Sequence, residues 1–171
     1  MRTMRVFLQR IIAFLMSVIT FLTGGLFSGK KDIGDIKEPT IYIEDVSVSK
    51  NDATATVKIH IVKNPGIAGA KITVSYDSGL TLKKAESGAA FSPLEFTRPG
   101  RLSNPCSFTW DSESGMATAD GIILSLTFDV PADARRNSKY AVNCTYQSGD
   151  IYNEALNDVT VDIVNGFVYI K

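Results

Sequence analysis

Residues 53–61 alternate without a break: Ala53, Ala55, Val57, Ile59 and Ile61 are apolar, and Thr54, Thr56, Lys58 and His60 between them are polar. A period of two sends successive side chains to opposite faces of an extended chain, so this segment is a strand with one buried face. The stretch "GIAGAKITVSYDSGL" repeats the pattern, with Ala70, Ile72, Val74 and Tyr76 on one side and Gly69, Lys71, Thr73 and Ser75 on the other. Segments 106–110, 122–130, 140–144, 159–163 and 167–170 read the same way, and Leu80-Thr-Leu82 starts another strand after a Ser78-Gly79 turn. Residues 41–43 and 46–48 alternate out of phase with each other across Glu44-Asp45, which predicts one strand with a bulge or kink there.

No window of the folded region keeps a 3.6-residue period, so no helix is long enough to cross over a parallel sheet. About nine short strands separated by Asn, Asp, Gly, Pro and Ser clusters predict an all-β fold, an antiparallel jelly-roll β-sandwich. Residues 87–105 are the one long irregular stretch; Pro93, Pro99, Gly100 and Pro105 predict a folded loop, with a short edge strand at 94–97.

Composition adds little beyond this. The chain has 171 residues, 44% hydrophobic and 21% charged, the proportions of a folded globular protein. Eighteen basic residues balance 18 acidic ones, so charge gives no reason to expect nucleic acid or an anionic membrane as partner. The first 29 residues stand apart: Arg2, Arg5 and Arg10 precede an apolar run over 11–27, the pattern of a secretion signal. The segment is either cleaved or kept as an N-terminal membrane anchor, and both place the rest of the chain outside the cell. Residues 30–39, "KKDIGDIKEP", have the composition of a linker, and the folded domain spans 40–171.

Candidate chemistry is sparse. His60 is the single histidine and sits on the polar side of its strand, where a solvated residue is expected; triad and zinc chemistry both lack their parts. A glycosidase needs two carboxylates in a cleft, whereas Asp77, Asp111, Glu113, Asp129, Asp150 and Glu154 fall in turns or outward positions, so the chain is not expected to be an enzyme. Oxygen donors at Asp150, Asn153, Glu154, Asn157 and Asp158 lack the spacing of a calcium loop and read as a polar turn. No cofactor or metal is expected. Cys106 and Cys144 raise the question of a disulfide in an exported protein.

Four segments in one order carry a family likeness. "NPGIAGAKITVSYDSGLTL", "NPCSFTWDS", "ADGIILSLTFDVPADA" and "GDIYNEALNDVTVDIVNGFVYI" resemble successive strands of a cohesin domain over roughly residues 40–171. Cohesins are the non-catalytic receptor modules of cellulosomes, assemblies for plant polysaccharide degradation. They bind dockerins, small helical modules that carry the calcium themselves. The resemblance implies a monomeric jelly roll whose dockerin lies across one flat sheet, ordered 8-3-6-5 in the family's own strand numbering. Segment 69–76 would be the third strand, 106–111 the sixth and 140–153 the eighth.

Alternation combined with that order gives a docking strip. Gly69, Lys71, Thr73 and Ser75 would face the partner from the third strand, and Ser107, Thr109 and Asp111 from the sixth, followed by Ser112; family contact positions also map onto Ala155 and Leu156. Many members carry Asn and Asp where this chain has Gly69 and Lys71, which implies a dockerin with an acidic residue opposite Lys71. Trp110 falls in the inward phase and reads as core. With the third strand between the sixth and eighth, Cys106 and Cys144 would lie two ladder spacings apart, roughly 9–10 Å, which implies two free buried thiols. The alternatives are a carbohydrate-binding module of similar fold, which needs a row of exposed aromatic rings where the outward rows hold Ser, Thr, Lys and Gly, or a structural surface domain.

Overall fold

Twelve strands run through residues 36–171, the part of the chain that the computed structural model describes. They are β1 (Thr40–Ile43), β2 (Val46–Val48), β3 (Thr54–Val62), β4 (Gly69–Tyr76), β5 (Thr81–Ser87), β6 (Glu95–Thr97), β7 (Cys106–Asp111), β8 (Gly121–Asp129), β9 (Lys139–Thr145), β10 (Ile151–Tyr152), β11 (Asp162–Val164) and β12 (Gly166–Ile170). One sheet is ordered β11-β1-β3-β8-β5 and the other β2-β12-β9-β4-β7-β6, with β10 continuing beside β4. Pairing is antiparallel except for β1 with β11 and β12 with β2. The expected all-β jelly-roll sandwich is the observed one. The segment carrying the N-terminal apolar run lies outside the described residues; among those described, no helix is long and apolar enough to cross a membrane.

The alternating rows meet between the sheets. Ile72 and Val74 of β4, Phe108 and Trp110 of β7, and Val142 and Cys144 of β9 face Val57, Ile59 and Ile61 of β3 and Leu124, Leu126 and Phe128 of β8, all buried. Tyr76 meets Phe128 edge-on at 5.0 Å between ring centroids, joining the two sheets. Trp110 is 1% exposed: its ring packs edge-on to Phe91 and against Phe96, and its Nε1–H donates to Ser87 Oγ at 2.9 Å. The expected edge strand in the irregular stretch is β6, paired to β7.

Several boundaries differ from the sequence reading. Residues 41–48 are two strands in different sheets, not one bulged strand. The chain crosses from one sheet to the other at Glu44-Asp45, so the inward direction reverses and the apolar phase flips with it. Glu44 N donates to Lys58 O at 2.9 Å on one side of the crossing, and Phe167 N donates to Asp45 Oδ1 at 2.9 Å on the other. Gly166 makes the corner possible, because a Cβ there would stand 2.7 and 2.8 Å from the carbonyl oxygens of Ile43 and Glu44.

The expected strand at 159–163 shrinks to β11, although Val159 and Val161 are buried as their phase demands. The Tyr146 hydroxyl accepts from Val161 N and donates to Val161 O, both at 2.9 Å, and so replaces a ladder neighbour. The expected eighth strand over 140–153 is broken into β9 and β10 by a turn at 146–150, where Gly149 adopts φ 83° and Gln147 N donates to Asp150 Oδ2 at 2.9 Å.

Both cysteines are buried and unbonded. They flank Val74, which pairs with Cys106 on one side and Cys144 on the other, so two ladder spacings separate them as expected. Burial pushes the Cys144 thiol from its ordinary 9.0 up to about 12. Above pH 9 the unfolded chain releases this proton while the folded chain keeps it, so stability is lost at roughly 1.4 kcal/mol per pH unit until the folded thiol ionises near pH 12. Urea unfolding between pH 8 and 11 should show this loss, and Cys144→Ala should reduce it, leaving the share from Cys106 and the tyrosines Tyr42, Tyr76 and Tyr152, which are also shifted up.

Candidate protein-binding face

The outer face of the β9-β4-β7-β6 sheet is built from the second set of alternating rows. Lys71 pairs across the ladder with Thr109, and Thr73 with Ser107; Thr73 Oγ1 and Ser107 Oγ are 2.8 Å apart. Ser75 pairs with Asn143 and Thr73 with Thr145 on the β9 side, while Glu95 and Thr97 of β6 extend the face beyond Asp111 and Thr109. Small β-branched and hydroxyl side chains keep this surface low, so another backbone can approach it closely. Lys71, Thr73, Ser75, Ser107, Thr109 and Asp111 thus share one surface, as the sequence reading expects.

Gly69 is the exception. It belongs to the outward row, yet it is buried rather than open to a partner. Tyr152 of β10 pairs with it and lays its ring over the vacant Cβ position, 2.1 Å from where that atom would be. The ring reaches across the strand, and its hydroxyl donates to Asp111 Oδ1 at 2.6 Å. Sequence reasoning missed Tyr152 because one strand over 140–153 would turn residue 152 inward with Val142 and Cys144; the turn at 146–150 shifts the phase, so Ile151 is buried and Tyr152 faces out.

The end of the face carries the apolar groups. Leu156 is 79% exposed and Met116 39%, the two large hydrophobic side chains so displayed among the described residues. Asn153 holds the turn around Leu156: its Oδ1 accepts from Ala155 N and Asn157 N, both at 3.0 Å, and Leu156 N donates to Asn153 O at 2.9 Å. Leu156 itself takes φ 59°, a left-handed conformation that costs a side chain about 1–2 kcal/mol. The turn thus displays an aliphatic side chain in water on a left-handed backbone. Pro65, Met116, Asn153, Glu154 and Ala155 line a shallow groove of ≈ 450 Å³ beside it. Ser112, half-buried, donates its N–H to Asp111 Oδ1 at 2.9 Å and so fixes the carboxylate.

Charge on the face is mixed. Lys71 Nζ lies 3.7 Å from Asp150 Oδ1, a long and half-exposed pairing of the kind that contributes little to stability. Three of the five oxygen donors of 150–158 have protein partners: Asp158 Oδ2 accepts from Ser148 Oγ at 2.6 Å, and Asp150 and Asn153 take the backbone bonds given above. Among the described residues no group of three or more His, Cys, Asp or Glu side chains could hold a metal ion.

Two outward features depart from expectation. Phe167 and Tyr169 of β12 lie on the outer face of this same sheet, next to Ala141 and Lys139 of β9, so the outward rows are not free of rings. Their planes are tilted by 49°, and Lys139 Nζ sits 3.5 Å above the Phe167 ring, so they offer no flat pair for a sugar to stack on. His60, on the outer face of the other sheet, is not a simply solvated residue: it stacks on Tyr42 at 4.7 Å and its Nε2 donates to Glu44 Oε1 at 2.6 Å. The carboxylate reaches it because Glu44 stands opposite Lys58 at the end of β1, a diagonal same-face neighbour of His60.

The Cohesin domain family model matches residues 39–170. The chain belongs to the cohesin family. Solved cohesins share its fold. The sixth cohesin of scaffoldin B from Acetivibrio cellulolyticus, solved in complex with a mutant Cel5 dockerin, aligns with a TM-score of 0.67 at 18% identity over 79% of this chain and 100% of that one. The cohesin of a type I cohesin–dockerin complex from Clostridium thermocellum gives 0.66 at 15% identity, over 79% of this chain and 100% of that one. A non-cellulosomal cohesin from the archaeon Archaeoglobus fulgidus gives 0.66 at 18% identity, over 79% and 92%. No curated protein sequence matches the chain.

Proposed function

We propose that this cohesin is a non-catalytic receptor that binds dockerin-bearing proteins outside the cell, as in cellulosome assembly for polysaccharide degradation, with the apolar run over 11–27 exporting or tethering it. The observation that carries the reading is the low polar face of β9-β4-β7-β6, ending in a leucine held in water at 79% exposure. The low shelf admits a helix at close range, and Leu156 supplies the apolar anchor that a contact of this size needs. Solved relatives in complex with dockerins support the same partner class. Calcium belongs to the partner in this reading, and the receptor acts as a monomer without a cofactor.

Dockerin modules encoded in the same genome, produced singly and titrated against residues 36–171, test it. Binding is expected in calcium and lost with chelator. Lys71→Glu, which sets a third carboxylate beside Asp150 and Asp111, should weaken binding by about tenfold and alter its salt dependence, with the unfolding midpoint unchanged. Retention on insoluble cellulose with no dockerin bound would support the sugar-binding alternative instead.

A further inference from the structure

Asp111 and Lys71 are presented differently from the other polar groups of the face. One oxygen of Asp111, Oδ1, accepts from both the Tyr152 hydroxyl at 2.6 Å and the Ser112 N–H at 2.9 Å. The carboxylate is therefore fixed through Oδ1 on an exposed residue, and Oδ2 has no hydrogen-bond donor among the described residues. Tyr152 can do this only because residue 69 is glycine: its ring and hydroxyl lie within 2.1–2.6 Å of where a Cβ would be. Two positions along the same strands, Lys71 stands opposite Thr109, its ammonium half-exposed and only loosely paired. Strand geometry sets the Cα atoms of Lys71 and Asp111 roughly 8 Å apart, one strand spacing across and two residues along. One to two turns of a helix span that distance.

We propose that Tyr152 is a selectivity residue of the docking face: by filling the Gly69 slot and latching Asp111, it aims a fixed carboxylate that, together with Lys71, reads a partner helix carrying a cation and a carboxylate one to two turns apart. The inference rests on the dockerin-binding reading and adds the partner's charge pattern and polarity, cation over β7 and carboxylate over β4. A carboxylate held by two donors loses little freedom when a cation docks on it, whereas an unlatched one must be ordered first.

The test uses calcium-loaded dockerin modules from the same genome, in one set with this helix-face charge pair and one set without, titrated by calorimetry. Wild type should prefer the first set. Tyr152→Phe, which keeps the ring in the slot and removes only the hydroxyl, should lower affinity for that set by about tenfold while leaving the second set and the unfolding midpoint unchanged. Asp111→Asn should give the same loss, and the double variant no more than either alone. Changing the partner's cation to glutamate should cost wild type that factor and cost Asp111→Asn nothing further. Tight binding with Tyr152→Phe and Asp111→Asn within twofold of wild type for both sets overturns this inference and leaves the docking reading standing; no binding by any module overturns both.

Discussion

Trp110→Ala is expected to destabilise the domain by about 3–5 kcal/mol, a large part of the whole stability of a domain this size. The ring is 1% exposed and wedged between Phe91 and Phe96, so its removal leaves a cavity that strands β6 and β7 cannot collapse to fill. Trp110→Phe should cost less, about 1–2 kcal/mol, from the smaller ring and the lost donation to Ser87 Oγ. Urea denaturation of the two variants checks both values. A tryptophan next to a docking face invites a role in the interface, and the alternative outcome is clear: lost binding with an unchanged midpoint would make it a contact residue.

Leu156 is expected to behave in the opposite way. Its side chain is in water and its backbone is left-handed, at φ 59°, so Leu156→Gly should raise stability by up to about 1 kcal/mol as the strain is released. The same change should weaken dockerin binding by about 10- to 100-fold, because an exposed aliphatic anchor is lost from the end of the face. Leu156→Asp should weaken binding at least as much without the gain in stability. Thermal unfolding paired with calorimetric titration separates the two effects. Unchanged affinity in both variants would place the contact elsewhere.

The inward rows were legible because burial imposes a period of two wherever a strand has one wet face. Ile72, Val74, Phe108 and Trp110 fall in the core as their phase requires, and Lys71, Thr109 and Asp111 fall outside it for the same reason. The edge strand β6 could be placed in a proline-rich stretch because a strand paired on one side only tolerates such neighbours. The order of four segments carried the family, and with it which of the two sheets to examine.

Periodicity is blind to what happens between strands that are distant in sequence. It reports which way a side chain points but not what lies over it, so Gly69 read as open although Tyr152, 83 positions later, covers it. The same limit hid the Glu44 carboxylate above His60 and the Lys139 ammonium above Phe167. It also mistook a change of sheet at Glu44-Asp45 for a bulge, since both reverse the phase of alternation.

The sequence by itself determined the inward rows of the main strands, the sandwich they build and the family, because each follows from local alternation and the order of motifs. Only the tertiary structure decided that Tyr152 occupies the Gly69 slot and holds Asp111, that an asparagine-built turn keeps Leu156 in water, and that the chain changes sheet at Glu44-Asp45. Those facts depend on strand order and register, which pair residues far apart in the chain and are fixed by the packing of the whole domain rather than by any one segment.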